Sequence, residues 1–324
     1  MNKNTKFFGI DISKDVFDVV DSSEKHHQFK NDPSGFKAFG KLLDGSSHCV
    51  MEATGSYYQG LATWLFSQSI DVSVVNPLSV KRFIQMRLKT SKTDKMDALM
   101  IRLYGESEEP KLWSPPSKLI VEATELHKLI ELLVRQRAGL KNRLHALESK
   151  GITKSLVLTS VRRQIRNLSH EITDLELKLE SVIKEYEPDL LTRLCSIPGI
   201  GKRTSIYLIV LTQSFEKFES SRQLISYLGL NPTIRESGSS VRGKSRISKT
   251  GDKQVRKLLF MCAFTACEHN KACHEIYQRL TAKGKSKKLA LIAVANKLLK
   301  QSLAIAKYGL YYDENFRSVN LNNV

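Results

Sequence analysis

The chain has 324 residues, 41% of them hydrophobic, which is enough apolar material for more than one packed core. Lys and Arg outnumber Asp and Glu by 51 to 33, and the formal charge of +18 predicts a polyanionic partner. We find no apolar run near the roughly 20 residues of a membrane-spanning helix, and the sequence begins without a signal-peptide pattern. These features argue against a membrane protein and predict a cytoplasmic protein that binds nucleic acid.

The cysteines number five, an odd count scattered along the chain that argues against the disulfide framework of a secreted protein. Cys267, His269, Cys273 and His274 lie close together, but their spacing matches no familiar zinc site. We therefore expect reduced, buried thiols rather than a metal site.

The N-terminal part alternates strand-like and helix-like runs. Three strand-like runs come first, and they are followed by the helix-like GFKAFGKLLD, the apolar HCVMEAT, the helix-like YYQGLATWLFSQS and DVSVVNP, in which Pro77 is expected to end a strand. The order βββαβαβ, continued by more helix, is typical of an RNase H-like mixed sheet with helices on its faces. The order alone also suits the first half of an actin-like ATPase domain.

Four acids in this part are candidates for a metal site. Asp11 lies in the first strand and Glu52 ends a strand that neighbours it in an RNase H-like sheet, so both are expected at one edge. Asp94 and Asp97 lie three apart on a predicted helix and share one face. Converging carboxylates repel one another unless a divalent cation offsets their charge, and oxygen ligands favour Mg²⁺. We expect about two Mg²⁺ per site, with Mn²⁺ as a substitute, for phosphodiester chemistry.

Each acid also has a plain structural explanation. Asp97 could be a solvated helix charge, and Asp94 could cap the helix that follows Thr93. Asp11 is harder to explain in this way, because an acid in a strand that should be buried needs a reason.

From Ser117 the pattern changes to long helices. The second of them has apolar residues at alternating steps of three and four, the pattern of a coiled coil, until Pro188. These seam positions are Leu158, Val161, Ile165, Leu168, Ile172, Leu175, Leu179 and Val182. Gly151 is expected to separate two antiparallel helices. The hairpin either closes on itself or forms an arm that joins subunits into a dimer or tetramer.

Beyond Pro188, the segment LCSIPGIGKRTSIYLIV predicts a helix-hairpin-helix. Gly199 and Gly201 would let the turn approach a DNA phosphate closely, and Lys202 and Arg203 add positive charge beside it. The alternative is an ordinary connection between two helices that binds no ligand.

A basic, serine-rich block runs from Arg235 to Lys257, with eight cations against two acids. Its glycines predict a loop, and its cations predict contacts with backbone phosphates. The phosphate-binding candidates are Arg242, Lys244, Arg246 and Lys249. A sharper interpretation is a serine nucleophile that is activated by local positive charge and attacks phosphorus.

The sequence resembles a known family at this point, the insertion-sequence one-ten transposases and the related Piv and MooV DNA invertases. The resemblance covers essentially the whole chain: the GID start, EATG with its downstream NP, KTDKMDA, SIPGIG and the YLGLNP…ESGSSVRGKSRISKTG block. It implies a RuvC-like domain whose DEDD metal site maps onto Asp11, Glu52, Asp94 and Asp97. It also implies that Ser237, which opens the SGSS block, is the nucleophile.

The resemblance further implies donor and target DNA as substrates and a structured bridge RNA that guides the recombinase. We expect three regions: a RuvC-like catalytic domain at 1–112, a coiled-coil linker for oligomerisation at 113–190, and a mostly helical transposase domain at 191–324 with the helix-hairpin-helix and the serine loop. The expected assembly is a homo-oligomer without a membrane.

Three other functions use parts of the same pattern. A Holliday-junction resolvase or other two-metal nuclease would use the four acids with water as nucleophile and would not need Ser237. A sugar-kinase or actin-like ATPase would require a second glycine-rich phosphate strand. A non-catalytic RNA-binding protein would keep the acids for structure alone. Metal-dependent covalent attachment to DNA separates the recombinase from all three.

Overall fold

The protein was analysed as a computed structural model that describes residues 5–87, 93–152, 154–233, 236–237, 241–242 and 246–315, with backbone only at 236–237 and 241–242. Contacts along the chain divide it into two compact units, residues 1–116 and 117–324. The elements described in the first unit are β1 (Lys6–Ile12), β2 (Val16–Val20), β3 (His26–Lys30), α1 (Pro33–Gly40), β4 (Ser47–Glu52), α2 (Tyr58–Ser67), β5 (Asp71–Val75), α3 (Pro77–Met86) and α4 (Asp94–Glu108).

The five strands form one mixed sheet in the order β3-β2-β1-β4-β5. β1, β2 and β3 are antiparallel neighbours, whereas β4 and β5 run parallel to β1. The predicted element order and the mixed sheet are therefore confirmed. Pro77 differs from the prediction: it begins α3 after the Asn76 cap, because its fixed φ and missing N–H suit the first position of a helix.

Both faces of the sheet are covered by helices. Phe8 and Ile10 point to one face, where they pack against α1 and α2. Val50 points to the other face, where it packs with Ile101 of α4 and with residues of β5 and α3. A polar side chain on the central strand β1 is therefore surrounded by protein except near the strand ends.

The second unit is mostly helical. Its described elements are α5 (Lys118–Ser149), α6 (Leu156–Tyr186), α7 (Pro188–Cys195), α8 (Lys202–Thr212), α9 (Ser221–Tyr227), β6 (Pro232–Thr233), β7 (Glu236–Ser237), β8 (Val241–Arg242), β9 (Arg246–Ile247), α10 (Lys253–His269), α11 (Lys271–Ala282) and α12 (Lys287–Tyr308).

The two long helices α5 and α6 form an antiparallel hairpin. Arg162 bonds Glu148 at 2.8 Å near the connection, and Lys178 reaches Glu122 at 3.7 Å far from it. Four of the predicted seam residues are buried: Leu158, Ile172, Leu179 and Val182. The hairpin packs against itself within the second unit, which is the simpler of the two predicted arrangements.

Helix α12 corrects the expectation that no apolar segment is long enough to cross a membrane. By length and composition it is long enough, and its apolar window is 50% buried inside the protein. Val294, Leu298 and Leu299 lie in the core of the second unit, so the helix packs as a core element.

The five cysteines are all free, as predicted, but they are not all buried. Cys49, Cys262 and Cys273 are buried, Cys267 is half-buried and Cys195 is exposed. In the cluster for which buried thiols are expected, Cys273 is buried and Cys267 only partly so.

Candidate active site

The register of β1 and β4 places two of the predicted acids side by side. Gly9 pairs with Val50 and Ile10 pairs with Met51 in this parallel ladder. Asp11 and Glu52 are the next residues on each strand. Because side chains in parallel register share a face, both acids are on the face covered by α4.

Helix α4 approaches this face unusually closely because Gly9 has no side chain. A Cβ atom on Gly9 would lie 2.1 Å from the Ala98 carbonyl oxygen and 2.3 Å from the Arg102 backbone nitrogen. Gly105 makes a second close approach, since a Cβ there would lie 2.7 Å from a methyl group of Val50. The backbone of α4 therefore rests directly on β1 and β4, and Gly9 stands two residues before Asp11 on the same face.

The N-terminus of α4 supplies the other two acids. Thr93 is the N-cap, and its Oγ1 accepts a hydrogen bond from the Met96 backbone N–H. Asp94 is the first helical residue rather than the cap, which corrects one alternative of the sequence analysis. Asp97 follows one turn later, and its backbone N–H donates to the Thr93 carbonyl at 2.8 Å. Carboxylates in a first helical turn are favoured by the helix dipole.

The electrostatics of Asp11 show that these acids lie near one another. Burial is the largest cause that raises the Asp11 pKa, and the negative charges of Asp97, Asp94 and Glu52 raise it further, to about 6 from an ordinary 3.8. A fifth acid, Asp18, contributes to the same rise. Repulsion among carboxylates is therefore a property of this edge of the sheet, as the sequence analysis expects of a metal site.

Asp18 is the acid that the sequence analysis missed. It pairs with Asp11 across the antiparallel β1–β2 ladder, and only 5% of its surface is exposed. His26 Nε2 lies 2.7 Å from its carboxylate, and the Gln28 side-chain amide donates to it at 3.2 Å. The signal was present in the sequence, because VFDVV places an acid inside an otherwise apolar strand. Its partners on β3 indicate a carboxylate that supports the site rather than one that binds a metal.

The donor set fits a hard divalent cation by its chemistry, because all four predicted ligands offer carboxylate oxygens. Among the residues that the structure describes, no three carboxylate, imidazole or thiol groups are gathered closely enough to hold a metal ion. The fit therefore rests on the identity of the donors and on the raised pKa of Asp11.

The predicted helix-hairpin-helix consists of α7, a tight turn and α8. Gly199 has φ +100°, and a Cβ on it would lie 2.6 Å from the side chain of Ala266 in α10. Gly201 is the N-cap of α8, and a Cβ there would meet nothing within 4 Å. The need for glycine at 199 thus comes from packing inside the protein, and space at 201 imposes none. The expected approach of a phosphate to these two backbone positions stays a prediction.

The two cations beside this turn already have carboxylate partners. Lys202 Nζ lies 2.9 Å from Glu180, and an Arg203 nitrogen lies 3.7 Å from Glu176, both on α6. More than half of each cationic side chain remains exposed. Because such pairs are weak in water, both cations remain able to contact a phosphate.

The described parts of the serine-rich block pair as two short antiparallel ladders, which we call the ribbon, where the sequence predicts a loop. β6 pairs with β9, with Thr233 opposite Arg246, and β7 pairs with β8, with Ser237 opposite Val241. The two ladders are antiparallel and nested, and each consists of two residue pairs. Arg246 and Lys249 are exposed on the ribbon's outer strand and just beyond it.

Some predicted residues of the block cannot be located in this way. Lys244 lies outside the described residues, as do Ser239 and Ser240, the two serines that follow Ser237 most closely. Only the backbone is described at Ser237 and Arg242.

Comparison with known proteins decides the family. A transposase model of the DEDD IS110 type matches residues 8–148, and the model of the "Transposase IS116/IS110/IS902 family" matches residues 191–278. The chain is 33% identical over 321 residues to the pilin gene-inverting protein of Moraxella lacunata, covering 95% of this chain and 98% of that protein. The chain belongs to the IS110 family of transposases. A transposase of insertion sequence element IS1111A from Coxiella burnetii is 25% identical over 335 residues, covering 91% and 88% of the two chains.

Membership of the IS110 family makes this protein a DNA transposase or recombinase. The matched range 8–148 contains most of the sheet, α4 and all four predicted acids, and the DEDD transposase domain is RuvC-like. The matched range 191–278 contains most of the helix-hairpin-helix and the ribbon with Ser237. Relatives that invert DNA and relatives that move insertion elements therefore match the same chain.

Proposed function

We propose that this IS110-family protein recombines DNA through a serine–DNA covalent intermediate, with Mg²⁺ held by Asp11, Glu52, Asp94 and Asp97. The observation that carries the proposal is the match of the DEDD transposase model to residues 8–148, in which the strand register sets Asp11 beside Glu52 on the face covered by α4. The raised pKa of Asp11, which arises from burial and from the charges of the other three acids, supports it. A buried acid on a strand that is surrounded by like charges destabilises the folded protein unless a bound cation offsets the repulsion. Such an acid is therefore a candidate for a functional site.

Two structural elements carry the four carboxylates, namely the sheet and helix α4. Asp11 and Glu52 are fixed by the sheet register, and Asp94 and Asp97 are fixed by the capped first turn of α4. When bound, Mg²⁺ would supply charge stabilisation to the phosphate and to the oxygens that attack and leave. Asp18 would keep its hydrogen bonds to His26 and Gln28 and so hold the neighbouring strand in register.

Ser237 is the proposed nucleophile. Its Oγ would bond to phosphorus, and the bond from phosphorus to a deoxyribose oxygen would break, so that the departing strand end leaves as a hydroxyl. A hydroxyl of another strand end would then attack the serine–phosphate bond, which releases Ser237 and rejoins the DNA. The number of phosphodiester bonds is conserved, so the exchange needs no nucleotide energy source. Support comes from the position of Ser237 at the end of β7, within a ribbon rich in cations.

Several surfaces of the second unit would bind nucleic-acid backbone. We assign phosphate contacts to the ribbon through Arg242, Lys244, Arg246 and Lys249, and to the helix-hairpin-helix through Gly199, Gly201, Lys202 and Arg203. The charge of +18 supports binding of more than one polynucleotide, which we propose to be donor DNA, target DNA and a guiding bridge RNA.

The proposed organisation is a cytoplasmic homo-oligomer, a dimer or tetramer, in which residues 113–190 form the linking hairpin between the catalytic region 1–112 and the transposase region 191–324. Exposed apolar residues on the hairpin, among them Leu132 and Leu177, support an additional contact between subunits.

The deciding experiment asks whether the protein becomes covalently attached to DNA. Purified protein, with and without co-expressed RNA, is incubated with Mg²⁺ and labelled DNA that spans the flanks of its own gene. We expect a labelled band that survives denaturation and disappears in EDTA and in Ser237→Ala, a loss of more than about 1,000-fold. Ser239 and Ser240, two and three positions along the same block, are the fallback candidates for the nucleophile, and Ser239→Ala and Ser240→Ala should keep the band.

The main rival is a RuvC-like nuclease or Holliday-junction resolvase that uses water as nucleophile, and the four carboxylates suit it equally well. It would cleave DNA in Mg²⁺ without any covalent band. A Ser237→Ala protein that still forms the covalent band would exclude Ser237 as the nucleophile.

A further inference from the structure

The base of the serine ribbon is a narrow neck, which we define as residues 228–231 and 248–251. The Ser248 backbone N–H donates to the Asn231 carbonyl at 2.9 Å, and its hydroxyl donates to the Asn231 side chain at 2.6 Å. The Lys249 backbone N–H donates to the Gly229 carbonyl at 3.1 Å. The chain that leaves α9 and the chain that enters α10 therefore touch before either reaches Ser237.

Two glycines allow this contact. Gly229 has φ +69° and Gly251 has φ +73°. A Cβ on Gly229 would lie 1.9 Å from the Thr250 carbonyl oxygen, and a Cβ on Gly251 would lie 2.0 Å from the Tyr227 carbonyl oxygen. Both the backbone conformation and the space at the neck thus exclude side chains.

Arg256 fastens the neck from one side. Its Nη1 lies 2.7 Å from the Thr250 carbonyl, 3.1 Å from the Gly251 carbonyl and 3.2 Å from the Leu228 carbonyl. One guanidinium nitrogen thereby bonds carbonyls from both flanks of the ribbon. Arg256 sits near the N-terminus of α10, where the helix dipole disfavours a cation, so these carbonyls give a reason for an arginine at this position.

A second group of hydrogen bonds, made by Asp252, fixes the start of α10. Asp252 caps the helix by accepting hydrogen bonds from the backbone N–H groups of Gln254 and Val255. The same carboxylate oxygen accepts a hydrogen bond from the Tyr207 hydroxyl of α8 at 2.9 Å. The outgoing flank of the ribbon is therefore tied to the helix-hairpin-helix as well as to its own incoming flank.

We infer that Arg256 is a positioning residue, which closes the neck and thereby fixes the ribbon that presents Ser237, instead of one of the block's phosphate contacts. The inference rests on the proposed role of Ser237 as nucleophile. Three carbonyls hold one terminal nitrogen of the Arg256 guanidinium, so the side chain is fixed against the neck and is not free to follow a phosphate. Loss of Arg256 should therefore misplace Ser237 and slow covalent attachment, while the affinity for DNA stays largely intact.

The test compares Arg256→Lys and Arg256→Gln with Lys257→Gln, the matched control. Lys257 is the next residue of α10, is exposed, and carries the same charge. For each protein we would measure DNA affinity at several salt concentrations and the single-turnover rate of covalent attachment at saturating DNA. Hydrogen exchange would be measured at the Ser248 and Lys249 amides, which bond across the neck, and at the interior amides of α10.

We expect both Arg256 variants to attach to saturating DNA about 10- to 100-fold more slowly than the parent, because misplacement of a reacting group by about 1 Å costs that much. Their affinity should stay within about twofold of the parent and their salt slope should be unchanged. Exchange at Ser248 and Lys249 should accelerate while the interior of α10 stays protected. Lys257→Gln should keep the parental rate and exchange.

Three results would overturn the inference. The first is weaker binding with a salt slope flattened by about one ion at an unchanged saturating rate, which identifies a phosphate contact. The second is a parental rate in both Arg256 variants, and the third is a reduced rate with unchanged exchange across the neck. Arg256→Lys keeps the charge and gives a readable result if Arg256→Gln does not fold. If Ser237→Ala still forms the adduct, the proposed nucleophile fails, whereas the exchange experiment still reports on the neck.

Discussion

The carboxylate edge of the first unit and the serine ribbon of the second are fixed by different means. Asp11 and Glu52 take their places from the register of a buried parallel ladder, and α4 is set against that ladder by glycine contacts. The ribbon has only short ladders and depends on backbone bonds at its neck. The first arrangement is protected by a hydrophobic core, and the second by a few hydrogen bonds near solvent.

The two regions also concentrate charge of opposite sign. The edge gathers negative charge that burial makes costly, as the raised pKa of Asp11 shows. The ribbon gathers positive charge, and its described cations Arg246 and Lys249 are exposed, so water screens their charge. Loss of a group should therefore relieve the fold at the edge, whereas at the ribbon it should weaken binding. Four predictions test this difference.

The largest effect is expected from the carboxylates themselves. Asp11→Asn, Glu52→Gln, Asp94→Asn and Asp97→Asn should each reduce covalent attachment to DNA by about 100-fold or more, because each removes a proposed ligand charge. Circular dichroism should show a folded protein in every case. Near-parental activity in three of the four variants in Mg²⁺ would contradict the proposed site.

The second effect concerns the contact between β1 and α4. Gly9→Ala should destabilise the protein by about 2–3 kcal/mol, because the new methyl group would overlap backbone atoms that cannot move independently. Thermal unfolding measures the change. Gly45→Ala is the matched control, since a Cβ there meets nothing within 4 Å, and it should shift stability by less than about 0.5 kcal/mol. Equal effects at the two glycines would rule out close packing as the reason for Gly9.

The third effect is a dependence on pH. The folded pKa of Asp11 is raised to about 6, so its favourable contribution is complete below the unfolded value of 3.8 and is lost as pH rises through 6. In EDTA, Asp11→Asn should therefore be more stable than the parent above pH 6, by about 1–2 kcal/mol after allowance for solvent screening. The difference should vanish near pH 4, and Mg²⁺ should reduce it at pH 7.5. A variant that is less stable at every pH would point to a structural role for Asp11.

The smallest effect is expected at the ribbon's exposed cations. Arg246→Gln and Lys249→Gln should each weaken nucleic-acid binding similarly across sequences and reduce the salt slope by about one ion, and Lys244→Gln should do the same. Filter binding at several salt concentrations measures both quantities. A variant that changes sequence preference at an unchanged salt slope would indicate base recognition instead.

Much of the first unit could be predicted because its signals are local and strong. Apolar alternation and turn residues predicted the order of strands and helices along the chain, and the spacing of Asp94 and Asp97 predicted that both lie on one helix face. Gly9 escaped notice because its reason is a helix almost a hundred residues away in sequence, and no local pattern reports such a contact. Asp18 was missed because the sequence does not reveal the strand register that sets it opposite Asp11.

The second unit was harder to predict for a different reason. The ribbon's glycines suggested a loose loop, yet Gly229 and Gly251 serve a tight crossing of two backbone segments. Arg256 looked like one more phosphate contact, because composition cannot show that a cation is occupied by carbonyl groups. Likewise, Gly199 meets Ala266 of a distant helix. In each case the sequence draws attention to the residue but does not reveal the distant group that it contacts.

The ion pairs beside the helix-hairpin-helix affect the salt dependence from which the number of its phosphate contacts would be measured. Lys202 and Arg203 are neutralised by Glu180 and Glu176 before any nucleic acid arrives. A phosphate that takes the place of these glutamates exchanges one partner for another. Glu180 then keeps Lys184, which lies 2.7 Å from it, whereas Glu176 attracts a cation from solution. Uptake of that cation by the protein would offset the release of one from the DNA, so a salt titration would undercount the phosphate contact of Arg203. Removing Glu176 would make this contact visible as a steeper salt dependence.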